Sequence, residues 1–403
     1  MTNSIRLRNF NVNSKDVYNL KGFQARVVDR DYLNSLGVRV VPSVETLKGL
    51  INGSIVFNER LKGGTVIPGP ELEIIETDVN GEMDVHNYTG ACPALTYEIN
   101  PVIGCNVGCL YCLVTDGVHI NKMKAFSNYH LLVRRILEEK YKEPHYYYFS
   151  PKTEAFQEPT LQTGIAHNIL KEFINHYERH PDSKARIFIA SKAGTRQLLY
   201  RYNGERIIDL FIKLKDKMQF NTSVSIMPPL LRTIIEPFAP SIEDRLNAVL
   251  LCQEHGIMSD SALVQPIMPP YLTDENMHDF FISLKNTNII NYKPEFLTVC
   301  MENLAMLGQL LGYYDKAMEK ALYEYYIAPE NADHKKQRGR TAPNRENSRN
   351  FLNRLMEVSS QFGLSISICY WVRQQLSVSE QMIPLINEKG FQCLGYQTKL
   401  FEK

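Results

Sequence analysis

Short apolar runs alternate with longer amphipathic segments between residues 95 and 305 of the chain. Compact apolar runs predict buried strands, whereas apolar residues that recur every three to four positions predict helices with one buried face. The predicted strands are ALTYEI (94–99), HYYYF (145–149), RIFIAS (186–191), FNTSVSI (220–226), SALVQPI (261–267) and EFLTVCM (295–301). The predicted helices lie between them, at 128–142, 167–180, 206–218 and 242–256.

Six strands separated by helices predict a parallel sheet, because a parallel neighbour has to be reached by a long crossover connection. If that sheet closes or nearly closes, it forms a barrel or part of one. We therefore predict an α/β fold built on a partial (β/α)6 barrel over residues 93–305. Functional residues of such barrels gather at the carboxyl ends of the strands, so the residues after each apolar run are the first candidates.

The regions on either side of this alternation differ from it. Residues 1–92 contain short β-type runs and turn residues, which predict a β-rich N-terminal extension. Residues 306–403 predict helices at 310–328 and 348–363, a polar basic loop between them and a strand at 364–372. This α/β C-terminal extension is a candidate for substrate binding.

Composition limits the classes of protein to which the chain can belong. With 403 residues, 44% of them hydrophobic and 22% charged, it has the balance of a soluble globular protein. The formal net charge of +1 provides no global field for nucleic acid or membranes, so a basic binding surface would have to be local. Neither a signal-peptide core nor a run of 18 apolar residues is present, and we predict a cytoplasmic protein that binds no membrane.

Three of the eight cysteines lie on one short stretch, GCNVGCLYC (104–112), directly after the first predicted strand. In a reducing cytosol, cysteines are more often metal ligands, reactive thiols or buried small residues than disulfides. Cys105, Cys109 and Cys112 have three interpretations. They are ligands of a structural zinc, for which His119 is the nearest fourth ligand, or buried structural thiols, or ligands of an iron–sulfur cluster that keeps one iron open.

The CxxxCxxC spacing, with Tyr111 before the last cysteine, closely resembles the signature of the radical S-adenosylmethionine (radical SAM) superfamily. This resemblance implies a 4Fe-4S cluster whose open iron binds the amino and carboxylate groups of S-adenosyl-L-methionine (SAM). Reductive cleavage of SAM then gives a 5'-deoxyadenosyl radical, which abstracts hydrogen from the substrate. The resemblance also implies an electron donor such as flavodoxin or ferredoxin, and Tyr111 is expected to cover the cluster.

An ordered set of further segments resembles the spore photoproduct lyase-like branch of the superfamily. These segments are 99–112, TEAFQEPTLQ (153–162), the pair at 191–192, the stretch 223–246 and PIMP (266–269). By that match, Thr153 and Glu154 receive the amino group of SAM. Lys192 meets its carboxylate, and Ser191 or Ser223 donates a hydrogen bond.

Four more residues of this set have two interpretations each. Glu236 and Arg245 either form an ion pair that closes a loop onto its helix, or contact the cofactor or substrate. Val264 and Pro266 form a shelf for adenine, or pack in the core. Ser241 is expected to be the N-cap of the helix that carries Arg245.

The resemblance fails at two places that matter for the reaction. Spore photoproduct lyases have a hydrogen-donating cysteine near the end of strand two and a tyrosine directly after the last cluster cysteine. This chain has Pro151 and Lys152 in the first region and Leu113 at the second position. Thymine-dimer reversal by that relay is therefore disfavoured. Cys300, near the end of the sixth predicted strand, is the alternative hydrogen donor, unless it is simply a small buried residue.

A basic stretch follows the predicted barrel and is a candidate for binding substrate. It binds phosphate or a nucleic-acid backbone, or it is a solvated loop. The candidate residues are Lys335, Lys336, Arg338, Arg340, Arg345 and Arg349.

The leading hypothesis is a radical SAM enzyme that abstracts hydrogen from a nucleoside, a nucleotide or another small biosynthetic intermediate. The other enzyme hypotheses are repair or modification of nucleic acid and modification of a peptide. A hypothesis of a different class is a nucleic-acid-binding protein whose metal site is structural.

Overall fold

The computed structural model describes residues 3–6, 71–85 and 96–368, apart from gaps within the last range. The gaps are 106, 108, 110, 113–121, 144, 229–230, 233–234, 237–238, 301–303, 305–306, 309–310, 313–314 and 329–339. None of the helices in the described part of the chain is long and apolar enough to cross a membrane.

The strands are numbered in chain order. They are β1 (Asn3–Arg6), β2 (Glu71–Ile75), β3 (Thr96–Ile99), β4 (Val102–Ile103), β5 (Lys122–Phe126), β6 (Tyr146–Phe149), β7 (Arg186–Ser191), β8 (Arg201–Tyr202), β9 (Glu205–Arg206), β10 (Met218–Val224), β11 (Ser261–Ile267), β12 (Asn291–Phe296), β13 (Val299–Cys300), β14 (Arg340–Thr341) and β15 (Ser365–Ile366).

The helices are numbered in the same way. They are α1 (Tyr129–Lys140), α2 (Glu158–Gln162), α3 (Ile165–Arg179), α4 (Thr195–Leu198), α5 (Ile207–Leu214), α6 (Ile242–Glu254), α7 (Asp274–Asn286), α8 (Lys316–Tyr326) and α9 (Arg345–Ser360). Ser241 is the N-cap of α6, as predicted, because its Oγ accepts a hydrogen bond of 3.0 Å from the Asp244 N–H.

Seven strands form one parallel sheet in the order β15-β12-β11-β10-β7-β6-β3. Each strand therefore lies beside the next parallel strand along the chain. Because such crossovers are almost always right-handed, this order places the connecting helices on one face of the sheet. The prediction of a mixed α/β fold with a parallel sheet is confirmed.

The two faces of this sheet differ in chemistry, as the alternation of side chains along each strand requires. The face that packs against the helices is apolar, with side chains such as Tyr147, Ile187, Phe220, Val264 and Tyr292. The opposite face is mixed: a small buried apolar cluster of Tyr146, Tyr148, Phe188 and Leu263 lies among the buried polar groups Thr96, Glu98, Arg186, Gln219, Asn221, Ser261 and Lys293. Since these groups are also buried, both faces of the sheet are covered.

The prediction for the sixth strand is wrong in position. The strand is β12 (Asn291–Phe296) and not 295–301, and β13 leaves the parallel sheet to pair antiparallel with β14. The apolar pattern was misleading because Pro294 interrupts NYKPEF, and proline has no N–H for a neighbouring strand. On one side of β12, β15 pairs only with Asn291 and Tyr292, so the proline meets no demand for a hydrogen bond there.

A smaller sheet, in the order β1-β2-β5-β4, fixes the cysteine segment at both ends. Strand β4 precedes the segment and β5 follows it. The two pair antiparallel, with Val102 opposite Ala125. Strand β2, from the predicted N-terminal extension, pairs in parallel with β5. Residues far upstream of the cysteines therefore support the base of their loop.

The backbone at Gly164, which precedes α3, packs against the ring of Tyr202. Gly164 has a φ of 72°, and an alanine Cβ there would overlap the Tyr202 ring. Gly256 has a φ of 74°, but an added Cβ would meet no neighbouring atom. We expect Gly256→Ala to lower the free energy of unfolding by about 1–2 kcal/mol, the cost of a left-handed alanine. Gly164→Ala should lower the free energy of unfolding by about 1–3 kcal/mol more than Gly256→Ala does, because the Tyr202 ring must move to make room for the added Cβ.

Urea denaturation of both variants and the unchanged chain measures this difference. Equal losses for the two substitutions would show that the Tyr202 ring does not pack on Gly164.

Candidate functional site

The candidate residues converge because four neighbouring strands end at the same edge of the sheet. The cysteine loop follows β3 and β4, Glu154 follows β6, Lys192 follows β7, and Ser223 lies at the end of β10. These strands are adjacent in the order β10-β7-β6-β3, and all of them are parallel. Their carboxyl ends therefore bring together residues up to about 120 positions apart in sequence, which is where parallel α/β folds place their sites.

The three cysteines form a mostly buried group of free thiols. Cys109 is buried, Cys105 and Cys112 are half-buried, and the Cys112 N–H donates a hydrogen bond of 3.1 Å to the Cys109 carbonyl. Gly104 has a φ of 91°, a conformation that favours glycine, and it turns the chain into the loop. Burial, reinforced by the neighbouring Cys112, raises the pKa of Cys105 to about 12, and burial also raises the pKa of Cys109.

This donor set fits a cationic metal group. Three cysteine thiols in a mostly buried environment all ionise to thiolates only if a positively charged group binds beside them. The three Sγ atoms, all of described residues, do not lie within 4.8 Å of one another as a group, so they are too far apart to be three ligands of one zinc ion. His119, the fourth zinc ligand considered from the sequence, lies outside the described residues.

The Glu154 carboxylate joins the loop after β6 to the end of β7. Its Oε1 accepts hydrogen bonds from Ser191 Oγ and from the Phe156 N–H, the latter at 3.1 Å. Its Oε2 accepts one from the Lys192 N–H at 2.7 Å. Beside it, the Thr153 hydroxyl oxygen is buried with no hydrogen-bond partner among the described residues. The predicted pair therefore consists of a firmly held carboxylate and a hydroxyl group that still has capacity for a ligand.

Lys192 places a positive charge between the cysteine loop and β10. Its Nζ lies 3.4 Å from Ser223 Oγ and 5.8 Å from the centre of the Tyr111 ring. Burial by itself would lower the pKa of Lys192, but Cys109 and Glu236 nearby raise it overall. The charged form of Lys192 is therefore favoured beside the cysteine loop.

A buried chain of hydrogen bonds fixes the side chain of Tyr111, a residue of the cysteine loop. The Tyr111 hydroxyl donates to Glu236 Oε1, and Arg245 Nη2 donates to Glu236 Oε2 at 2.5 Å. Arg245 also donates to the carbonyls of Ser223 at 3.0 Å and Pro240 at 2.9 Å. Burial would raise the pKa of Glu236, yet Arg245 and Lys192 lower it. Of the two interpretations of Glu236 and Arg245, the ion pair is the one formed here.

An apolar layer lies over the cysteine loop. Cys109 and Tyr111 pack in a second hydrophobic core that is separate from the core between sheet and helices. Much of this layer comes from the segment between β12 and β14. Its other members are Val107, Met227, Leu231, Ile235, Ala239, Met268, Tyr271, Leu297, Val299, Leu304, Leu307, Leu311, Leu322, Tyr323, Tyr326 and Ile327. The layer removes Cys109 and Tyr111 from solvent, whereas Cys105 and Cys112 at its border stay partly exposed.

The other candidate residues lie elsewhere. Val264 is fully buried in the core on the helix side of the sheet, so it does not reach the face beside Lys192. Pro266 is buried within β11. Cys300 is not at the end of a strand of the parallel sheet, because its backbone pairs with Arg340 in the β13–β14 ladder.

The basic candidates are only partly described. Arg345 and Arg349 lie one turn apart on α9, which begins three residues earlier than predicted, and Arg349 is exposed. Lys335, Lys336 and Arg338 lie outside the described residues.

One contact of the site involves a residue that no sequence pattern singled out. Gln157 is buried, and its Nε2 donates to the Gly104 carbonyl at 3.3 Å, which ties the loop after β6 to the start of the cysteine loop. Its position three residues after Glu154, inside TEAFQEPTLQ, was the available signal.

Comparisons with known proteins support the fold. A tyrosine-to-phenylalanine mutant of spore photoproduct lyase has a similar structure, with a TM-score of 0.50 and 15% sequence identity. The alignment covers 73% of this chain and 81% of the other, and at this identity the likeness concerns the fold alone.

Sequence comparison gives less. An uncharacterized protein of Methanocaldococcus jannaschii is 27% identical over 186 residues, which are 45% of this chain. The match spans 64% of the length of that relative. No family model matches the sequence.

The buried ion pair gives a prediction about stability. Arg245→Met leaves the Glu236 carboxylate without its strongest partner, and we expect it to lower the free energy of unfolding by about 3–5 kcal/mol. Glu236→Gln should also destabilise, but the double variant should lose less than the sum of the two losses, by about 0.5–3 kcal/mol. Denaturant unfolding of the three variants measures this coupling.

The matched control is Glu139→Gln, which breaks an exposed pair with Arg135 on α1. We expect it to change the free energy of unfolding by about 0–1 kcal/mol. Additive losses at Glu236 and Arg245, or a loss at Glu139 as large as theirs, would contradict a buried, coupled pair.

Proposed function

We propose that the chain is a radical SAM enzyme that abstracts hydrogen from a small substrate. The observation that carries the proposal is the meeting of three mostly buried thiols with Glu154 and Lys192 at the carboxyl ends of four adjacent parallel strands. The likeness to spore photoproduct lyase supports the same class of fold. We further propose that the seven-stranded sheet curves into a partial barrel, because the face that carries Glu98, Phe188 and Lys293 is buried although the chain order favours helices on the other face.

Cys105, Cys109 and Cys112 would hold a 4Fe-4S cluster and leave one iron for SAM. The Glu154 carboxylate and Thr153 hydroxyl would receive the amino group of SAM, and Lys192 with Ser223 its carboxylate. When bound, the cluster would supply one electron to SAM, whose cleavage gives a 5'-deoxyadenosyl radical. A reduced flavodoxin or ferredoxin is the class of donor that would restore this electron.

The residues around the thiols have supporting roles in this proposal. Tyr111, held by Glu236, would shield one side of the cluster, and the apolar layer would keep water from the radical. Lys192 would neutralise negative charge at the site. Each of these roles concerns binding, shielding or orientation, because the cofactors carry the reaction chemistry.

We propose a nucleoside, a nucleotide or another small biosynthetic intermediate as substrate. The apolar layer over the cysteine loop supports a small molecule rather than a long duplex. Thymine-dimer reversal by the lyase relay is disfavoured at Lys152, which stands in the region of the donor cysteine. Its Nζ lies 2.8 Å from both Asp84 and Glu98, so an ion-paired lysine is found there.

Reconstitution tests the reaction. After anaerobic reconstitution with iron and sulfide, the chain should form 5'-deoxyadenosine from SAM when dithionite is added. Cys105→Ala, Cys109→Ala and Cys112→Ala should each abolish the product, because each removes a cluster ligand. Cys252→Ala is the control, since Cys252 is a buried free thiol within α6, and it should retain the activity. Product formation that survives the loop substitutions would refute the proposal.

Lys192 gives a separate prediction about cofactor binding. Lys192→Met should raise the KM for SAM by about 10- to 100-fold, the value of one lost charge-assisted contact, without reducing the iron content. Lys217→Met is the control, because Lys217 also lies over a tyrosine ring, 5.4 Å from the centre of Tyr177, but precedes β10 at the other edge of the sheet. Equal KM values for both variants would remove Lys192 from the SAM site.

A further inference from the structure

A second group of potential metal ligands lies on the helices, away from the cysteine loop. Glu138 is in the last turn of α1, and His176 and His180 are one turn apart at the end of α3. One ligand atom from each lies within 4.8 Å of the others. His176 Nδ1 is 3.2 Å from Glu138 Oε1, and His180 Nε2 is 2.8 Å from Glu138 Oε2.

We propose that Glu138, His176 and His180 bind a divalent transition-metal ion, with Zn²⁺ as the fitting ion. Two imidazole nitrogens and a carboxylate oxygen are common protein ligands of zinc. His176 on α3 and His180, the C-cap of that helix, both reach the Glu138 carboxylate on α1. Three protein ligands leave a fourth position for water. Solvent reaches the group, because the His180 and Glu138 side chains are 25% and 34% exposed, whereas His176 is fully buried.

Neighbouring side chains orient both histidines before any ion binds. His176 Nε2 forms a hydrogen bond of 2.8 Å with Ser183 Oγ. The other ring nitrogen, Nδ1, therefore faces Glu138. The Tyr141 ring stacks on His180, with ring centres 4.4 Å apart. Outer contacts of this kind fix the ring orientation of metal-binding histidines.

The surroundings suit a cation. The group lies at the carboxyl ends of two helices, where the helix dipoles favour positive charge. Two cations among the described residues lie near Glu138: Arg179, whose Nη2 is 2.8 Å from Glu138 Oε1, and Arg134, which is paired with Glu172. The Arg179 side chain is half exposed and can turn to solvent when an ion takes its place.

The site would lie at the opposite edge of the sheet from the cysteine loop. Helices α1 and α3 end directly before β6 and β7 begin, whereas the cysteines follow the carboxyl end of β3. A metal ion here would therefore link the end of α1 to the end of α3. This inference does not depend on the proposed reaction.

Zinc binding to the full chain tests the proposal. Since thiolates also bind zinc, titrations use the chain in which Cys105, Cys109 and Cys112 are all alanine, with a competing chromophoric chelator as the probe. We expect one zinc ion per chain. His180→Ala and Glu138→Gln should weaken binding by about tenfold or more, and Ser183→Ala by about 10- to 100-fold.

The control is His145→Ala. His145 is also a buried histidine beside a carboxylate, 3.1 Å from Glu143, but it does not belong to the proposed metal site. It should leave zinc affinity unchanged. Circular dichroism establishes that each variant is folded. Unchanged zinc affinity in both His180→Ala and Glu138→Gln, or no binding by the parent chain, would overturn the proposal.

Cobalt spectroscopy on the same chain, with Cys105, Cys109 and Cys112 replaced by alanine, provides a second measurement with a different readout. Co²⁺ at this site should give visible ligand-field bands without the thiolate charge-transfer band that cysteine ligation produces. These bands should be lost in His180→Ala. A spectrum with only thiolate character, or one unchanged in His180→Ala, would also overturn the proposal.

Discussion

The parallel pairing of β3, β6, β7 and β10 is the constraint on which the candidate site depends. Each strand contributes little alone: a loop of cysteines, a carboxylate, an ammonium group and a serine. Because the strands are parallel and adjacent, all of their carboxyl ends reach one edge. The small sheet of β2, β4 and β5 then fixes both ends of the cysteine loop at that edge. Strand pairing thus converts distant sequence segments into one site.

Buried charges are tolerated at this edge because each has partners. Glu236 is shared by Arg245 and Tyr111, and Glu154 is held by three donors from two loops. An unpaired buried charge would cost several kcal/mol, whereas a paired one costs less and fixes its neighbours in place. The same contacts that satisfy these charges therefore orient the groups that would meet SAM. The apolar layer adds to this effect by removing Cys109 and Tyr111 from solvent.

Much of the fold and site follows from local patterns. The first five predicted strands of the sheet, the cysteine loop after the first of them and the N-cap at Ser241 depend on periodicity and capping, which neighbouring residues determine. The position predicted for the sixth strand is wrong because Pro294, which has no backbone N–H, is not expected inside a strand of a parallel sheet. The contact between Tyr111 and Glu236 joins residues 125 positions apart, and no local pattern contains it. Similarly, the spacing of His176 and His180 is visible in HYERH, but their partner Glu138 is found only once α1 and α3 have packed together.

We have proposed that the cysteine loop would hold a cluster with one iron open to SAM, which Lys192 would help to bind. Electron paramagnetic resonance of the reduced, reconstituted chain, recorded before and after addition of SAM, tests this claim most directly. We predict the signal of a reduced 4Fe-4S cluster whose line shape changes when SAM is added, and a much weaker change in Lys192→Met at the same SAM concentration. A cluster signal that SAM leaves unchanged, or no iron–sulfur signal at all, would contradict the account.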